Sequence, residues 1–299
     1  MKPNIVSIIN FCTNDVRYLE KNVQECAKFS KEILIPVCDH FFDGTCENRD
    51  LLHDLYLRHR GVRFIEYAYS DSKLYNPFLS LTPSSIDWKM YWYTTSRYIG
   101  YLYAKGDYLL FLDTDEIVEG DRFVEWMKGF DYENYEAIRF LSFYYFRNPL
   151  YRATVHPPNA MLAKRSSLSC TLLMNDWDRY GAFSRIQGKK EGKGLGADGK
   201  PLVHHYSWVR SKEECIKKGE TSGHSREYDF PKEIEQEFSH PFQGSDFLFS
   251  YTYEKAPCFF DPLSYEAPQK LLQGDTSHIL RIHHREAFLD NLWIELKRK

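Results

Sequence analysis

The sequence predicts an α/β protein built on a mainly parallel sheet with helices on both faces, and three observations carry that expectation. Short β-branched runs alternate with helix-spaced segments through the first 110 residues or so. The run Tyr108-Leu109-Leu110-Phe111-Leu112 is apolar throughout and too short for a helix, as in a strand buried on both faces. Strands parted by helices cross over and lie parallel. Ile5-Val6-Ser7-Ile8-Ile9 reads as the first strand. Leu19 to Phe29 has helical spacing, with Leu19, Val23, Cys26 and Ala27 on one side, and Glu32 to Val37 is a second strand. After a loop closed by Asp43-Gly44-Thr45, Glu47 to His59 reads as a helix and Val62 to Tyr67 as a third strand. Ile86 to Lys105 is a helix stopped by Gly106, just before the apolar run.

Beyond Asp115 the pattern loosens. Ala137 to Tyr145 and Ala160 to Ala163 are strand-like, and Gly188 to Gly199, with five glycines and three lysines, reads as a mobile loop. Leu202 to Tyr206 is strand-like. A helix opens at Ser211 with Glu213 and Glu214 in its first turn, and another spans Arg285 to Arg298. Residues 1–210 are therefore expected to form one domain and 211–299 a mixed or helical extension, packed on that domain or separate from it, for which Tyr251 to Lys299 offers no signal.

Composition narrows the function. The 299 residues carry 39 Lys plus Arg against 42 Asp plus Glu, a net charge of −3, without the basic excess of a dedicated nucleic-acid binder. No run approaches the ~18 apolar residues of a spanning helix and no secretory leader is evident, so a cytoplasmic protein is expected, with peripheral membrane contact left open. The seven scattered cysteines form no C-x-x-C pair and read as reduced thiols. Aromatics make up 16% of the chain, enough for rings to stack on sugars as well as to fill a core.

The strongest local signal is Phe111-Leu112-Asp113-Thr114-Asp115-Glu116. Carboxylates at i and i+2 on a strand share a face, and this pair falls at the carboxyl end of a central strand, where open α/β sheets bind ligands. Two such acids repel unless a cation lies between them or one takes a proton. Mg²⁺ or Mn²⁺ completed by substrate phosphates answers that need; a solvated acidic turn is the plainer alternative. Asp115→Ala is expected to abolish metal-dependent binding with the fold intact.

Ser96 to Glu116, through Ala104-Lys105-Gly106-Asp107, resembles the segment of family 2 glycosyltransferases in which an Ala-Arg-Asn helix leads to the D-x-D strand. Ile5 to Phe29 resembles that family's opening unit, and Val37-Cys38-Asp39-His40-Phe41-Phe42-Asp43-Gly44-Thr45 its second-strand loop. Cys38, Phe41-Phe42 and Tyr98 depart from the pattern. The likeness covers about the first 120 residues. It implies a GT-A (Rossmann-like) fold and a D-x-D-dependent glycosyltransferase of hexosyltransferase type acting in glycan biosynthesis. The donor would be a nucleotide-diphosphate sugar, a UDP-sugar favoured. Asp39 would lie near the base and Arg97 at the donor; Asp113 would lie toward ribose and sugar, and Asp115 on the metal. His204-His205-Tyr206-Ser207-Trp208-Val209-Arg210 resembles a His-Tyr-Gly-Trp-Val-Arg segment found downstream of the D-x-D in many such sequences. It implies His205 as a further metal ligand beside Asp113 and Asp115, while Arg210 either pairs with the diphosphate or caps an acid.

Inverting transfer to a glycan, glycolipid or protein-linked acceptor needs a carboxylate base. Asp176 and Asp178, flanking Trp177, are the candidates, with Glu191 as rival. The glycine-rich loop next to His204 would close over the donor, or is a plain surface loop. Haloacid dehalogenase-type phosphatases also place D-x-D after an apolar strand, but it is their first strand, and Ile117 stands where they have Thr or Val. A non-catalytic GT-A-like protein that binds nucleotide or carbohydrate is the other alternative.

Overall fold

The computed structural model describes residues 4–68, 88–175, 178–222 and 228–282. Asp176 and the helix expected over Arg285 to Arg298 lie outside them. The strands are β1 (Ile5–Asn10), β2 (Glu32–Cys38), β3 (Arg63–Tyr67), β4 (Tyr108–Asp113), β5 (Glu116–Val118), β6 (Ala137–Phe146), β7 (Asn148–Ala153), β8 (Pro158–Lys164), β9 (Lys190–Gly194), β10 (Val203–Trp208), β11 (Tyr253–Lys255) and β12 (Leu280–Ile282). The helices are α1 (Val16–Cys26), α2 (Arg49–Arg58), α3 (Trp88–Tyr103), α4 (Gly120–Gly129), α5 (Cys170–Asn175), α6 (Arg179–Arg185), α7 (Lys212–Thr221) and α8 (Phe230–Phe238).

The sheet runs β11-β7-β6-β8-β4-β1-β2-β3-β12. It is parallel from β4 through β1, β2 and β3 to β12, and mixed beyond β8, which pairs antiparallel with β4. All six residues of β1 are buried, as expected of a central strand covered on both sides. Alternation sends Ile9 and Leu112 into one core with Leu19 of α1, Leu52 of α2 and Phe123 of α4. It sends Ile8 and Phe111 into the other, with Tyr98 and Ile99 of α3 and Leu173 of α5. Helix α3 can lie this close to β1 because residue 100 is glycine: a Cβ there would meet Ile8 Cγ2 at 2.3 Å.

One feature differs from expectation. The glycine-rich segment is not simply a loop, since β9 within it pairs in parallel with β6. Its glycines serve close packing, for a Cβ on Gly194 would stand 2.9 Å from Ile138 Cγ2 and from Phe140 Cδ1. The carboxyl-terminal segment also borders the sheet on both sides, β12 extending β3 and β11 extending β7. Helix α7 begins as expected, with Ser211 and Glu214 forming a capping box. Glu214 pairs as well with Arg17 of α1, which docks this helix against the mouth of the sheet. No helix among the described residues is long and apolar enough to cross a membrane.

Candidate active site

Strand β4 ends at Asp113, and Thr114 and Asp115 form a turn into β5. Asp115 is therefore off the strand, and the i, i+2 argument does not by itself bring the two acids together. The turn does, because it is clamped from below. Thr114 donates to the Asn10 carbonyl from both its amide (3.1 Å) and its hydroxyl (2.6 Å), and Asn22 Nδ2 donates to the carbonyls of Thr114 and Glu116 at 2.9 Å each. Asp113 and Asp115 both line a cavity of about 440 Å³, bounded by the ends of β1, β2 and β4, by β10 and by the segments that follow it.

The two acids already have cations. Asp113 Oδ2 accepts from Tyr93 Oη (2.7 Å) and Arg179 Nη2 (3.1 Å), and its Oδ1 accepts from Arg97 Nη2 (3.3 Å). Arg179 also forks onto the fully buried Glu116, its Nη2 meeting Oε1 at 2.6 Å. Asp115 Oδ2 accepts from Lys218 Nζ at 2.6 Å and from Arg210 Nη2 at 3.4 Å. Arg210 in turn holds Asp15 and the Asn14 and Ser207 carbonyls. Asp15, Asp113, Asp115 and Glu116 are thus matched one for one by Arg97, Arg179, Arg210 and Lys218. Arg179 and Arg210 each bond to two or more groups and Arg97 is stacked on Tyr93 as well as paired with Asp113, whereas among the described residues Lys218 Nζ bonds only to Asp115.

His205 completes the set. Its Nε2 stands 3.5 Å from Asp115 Oδ1, while its Nδ1 meets the Asn159 amide at 2.8 Å, an outer contact that fixes the ring. His204 faces the other way, between Tyr145 and Glu119, as strand alternation requires. A carboxylate oxygen and an imidazole nitrogen this close on a cavity wall suit Mn²⁺ or Mg²⁺, with the remaining positions left for phosphate and water. Among the described residues no group of three or more His, Cys, Asp or Glu forms a metal cage. Asp115 and His205 alone would leave most positions of an ion to phosphate and water.

Burial opposes ionisation of Asp113, but Arg179 and then Arg97 outweigh it and bring its carboxyl to about 2. For Asp115 burial is again outweighed, by Lys218, His205 and Arg210, and the carboxyl lies well below the usual range. A folded-state pKa below the unfolded value of about 3.9 stabilises the protein above that pH, and the contribution is lost as pH falls from about 4 toward 2. For Asp113 it is on the order of 2 kcal/mol. Urea unfolding of wild type and Asp113→Asn at steps from pH 5 to pH 2.5 is expected to show the gap between them narrowing with acid. A constant gap would contradict this assignment.

The other residues singled out in the sequence fall in different places. Asp178, at the start of α6, lines the cavity. Asp39 lies between the lining residues Cys38 and His40, its carboxylate on His40 Nδ1 at 2.8 Å. Arg97, stacked over Tyr93 at 4.0 Å, and Arg210 are buried behind the acids and do not line the cavity. No residue of the glycine-rich segment, Glu191 included, lines it either. Arg179, Lys218 and Asn159 belong to the site and were not singled out in the sequence, and Glu116, which closes the D-x-D stretch, was given no role there.

No family model and no curated protein matches the sequence. Solved structures do. One is glucosyl-3-phosphoglycerate synthase from Mycobacterium tuberculosis, in complex with Mn²⁺, uridine diphosphate and glucosyl-3-phosphoglycerate. It is 13% identical, with 85% of this chain and 88% of that one covered and a TM-score of 0.41. S. aureus TarS 1-349 in complex with UDP is 11% identical over 72% of this chain and 62% of its own, with a TM-score of 0.42. The inositol-1-phosphate CTP transferase from T. maritima is 9% identical over 72% and 94%, with a TM-score of 0.40. The strand order, parallel from β4 through β1, β2 and β3 to β12, is the α/β architecture the sequence predicts. At these TM-scores the likenesses carry no argument, and the chemistry stands on the side chains of the cavity.

Proposed function

We propose that this protein is a metal-dependent, family 2-like glycosyltransferase. It would take a nucleotide-diphosphate sugar, a UDP-sugar favoured, and pass the sugar with inversion to a carbohydrate or glycolipid acceptor. The observation that supports this most is the Asp115–His205 pair, open to the cavity and flanked by Lys218. Asp115 and His205 would hold the divalent ion, whose charge would offset that developing on the leaving diphosphate. Lys218, released from Asp115, meets the diphosphate oxygens. Asp113, its orientation set by Arg97, Arg179 and Tyr93, lies toward the ribose and sugar. The nucleoside sits beside Phe11, Cys12 and His40, with Asp39 behind them. Asp178 is the base that takes the acceptor hydroxyl's proton; Asp176 keeps the same candidacy from sequence alone.

Thermal unfolding with a panel of nucleotide diphosphates, in Mn²⁺, Mg²⁺ or EDTA, tests the reading. A ligand that binds only the native state at ~100 times its Kd stabilises by about 2.7 kcal/mol, a shift of a few degrees for a chain of this size. The expected result is a metal-dependent shift with one base, followed by metal-dependent hydrolysis or transfer from its sugar. Binding without turnover of any sugar would favour the non-catalytic alternative, and no shift with any nucleotide would overturn the transferase reading and leave only a carbohydrate-binding one.

A further inference from the structure

We infer that Cys46 is a reactive thiol at the rim of the cavity, and that it takes up a small disulfide as a mixed disulfide that shuts the nucleoside end; the second half rests on the nucleotide-binding reading above. Cys46 Sγ stands 3.3 Å from His40 Nε2, and His40 Nδ1 stands 2.8 Å from Asp39 Oδ1. With the carboxylate on Nδ1, that nitrogen carries the hydrogen and Nε2 turns its lone pair to the thiol. Nucleophile, base and the group that orients the base follow one another, the arrangement that activates a weak nucleophile.

A tight turn holds the three in place. His40 and Cys46 form an antiparallel bridge, and between them the Phe41 amide donates to the Thr45 carbonyl at 2.7 Å. Gly44, at φ 88°, supplies the left-handed residue that the turn requires. The Asp43 carboxylate accepts from the Thr45 amide at 2.9 Å and from its hydroxyl at 2.7 Å. At the foot of the turn the buried Glu47 accepts from the Thr13 amide at 3.0 Å and the Asn48 amide at 3.1 Å, which ties it to the segment between β1 and α1.

The other cysteines have no such setting. Cys26, Cys38, Cys170 and Cys215 are buried. Cys12 lines the cavity, but burial and then Asp15 push its thiol well up. Cys258 is exposed like Cys46, yet desolvation and the Asp261 carboxylate push its thiol up, away from the thiolate that reacts.

His40 also lines the cavity, with Phe41 and Phe42 of the same turn, on the wall assigned above to the nucleoside. In the exchange His40 Nε2 takes the Cys46 proton and the thiolate attacks one sulfur of R–S–S–R. The S–S bond of the small disulfide breaks as the bond to Cys46 forms, and the departing RS⁻ carries off the electron pair and recovers the proton from His40. Cys46 is oxidised and the small disulfide reduced. The group R is then anchored one side chain from the cavity wall, and His40 loses the thiol that faced it.

The test treats the full chain with oxidised glutathione and maps the adducts by mass spectrometry. Cys46 is expected to react roughly tenfold or more faster than Cys258 in the same molecule, and His40→Gln to cut that ratio by roughly tenfold, a modest share of what a positioned base supplies. A variant that merely loosened the fold would speed the buried thiols instead, so the ratio separates chemistry from instability. The adduct should bind UDP with Mn²⁺ roughly tenfold or more weakly, dithiothreitol should restore binding, and Cys46→Ser should bind UDP like wild type before and after treatment. Equal rates at Cys46 and Cys258, a ratio unaltered in His40→Gln, or UDP affinity indifferent to the adduct overturns the inference. If the untreated protein binds no nucleotide diphosphate, the reading above fails and takes the second half with it, while the rate ratio still decides the first.

Discussion

Asp115→Asn is expected to lower sugar transfer by roughly a thousandfold or more, on the scale of losing a group that acts on charge in the transition state, and to remove the metal dependence of nucleotide binding. Asparagine keeps an oxygen for Lys218 and Arg210 but not the charge that holds the ion beside His205. Alanine, the substitution the sequence alone suggests, is the poorer choice. It would take from the buried Arg210 one of its two acids and from Lys218, on the cavity wall, its partner, a loss of up to about 3–5 kcal/mol. Loss of activity would then report unfolding. Kinetics on Asp115→Asn, with a thermal scan showing it folded, separates the two. A folded variant that keeps wild-type turnover would dismiss the acidic turn from the chemistry.

The alternation of strands and helices up to Asp113 was legible because each element there answers to one strong local cause: β-branched runs buried on both faces, a glycine stop, a helical stripe. The acid pair was legible for the same reason, as a polar break at the end of an apolar strand. What neutralises it was not. Arg179 lies 66 residues from Asp113, and Lys218 lies 103 from Asp115. Neither sits in a motif, and only the fold says which of many basic residues reaches the site. Lys218 did carry a faint signal: it stands four residues after Glu214, so a helix docked by Glu214 on Arg17 turns Lys218 to the same side. Strand periodicity says only that His204 and His205 face opposite ways; the preference for His205 came from the resemblance, and it is the packed aromatic layer on the other side of β10 that takes His204. The edge strands β11 and β12 are three residues each, too short to leave a period, and β9 was masked by glycines that serve close packing instead of a turn.

Lys218→Met is expected to act in opposite directions on two measurements, and that pairing is what distinguishes its role from simple packing. With Lys218 in place the four acids of the site are matched by four cations, so a divalent ion arriving alone must displace Nζ from Asp115. Removing the charge while keeping the chain length leaves one negative charge in excess, and Mn²⁺ affinity without nucleotide should rise by roughly tenfold, the equivalent of about 1.4 kcal/mol. Nucleotide diphosphate affinity in EDTA should fall at the same time, because the cation released toward the phosphates is gone, and kcat/KM should drop by roughly a hundredfold. Metal titration of the free protein and calorimetry with UDP in EDTA read the two limbs separately. If both affinities fall together, Lys218 merely supports the site; if neither changes, the charge balance at Asp115 has no part in how the donor is received. Arg210 cannot substitute in this role, since its guanidinium is fixed at once by Asp15, Asn14 and Ser207 and stays behind when the lysine moves.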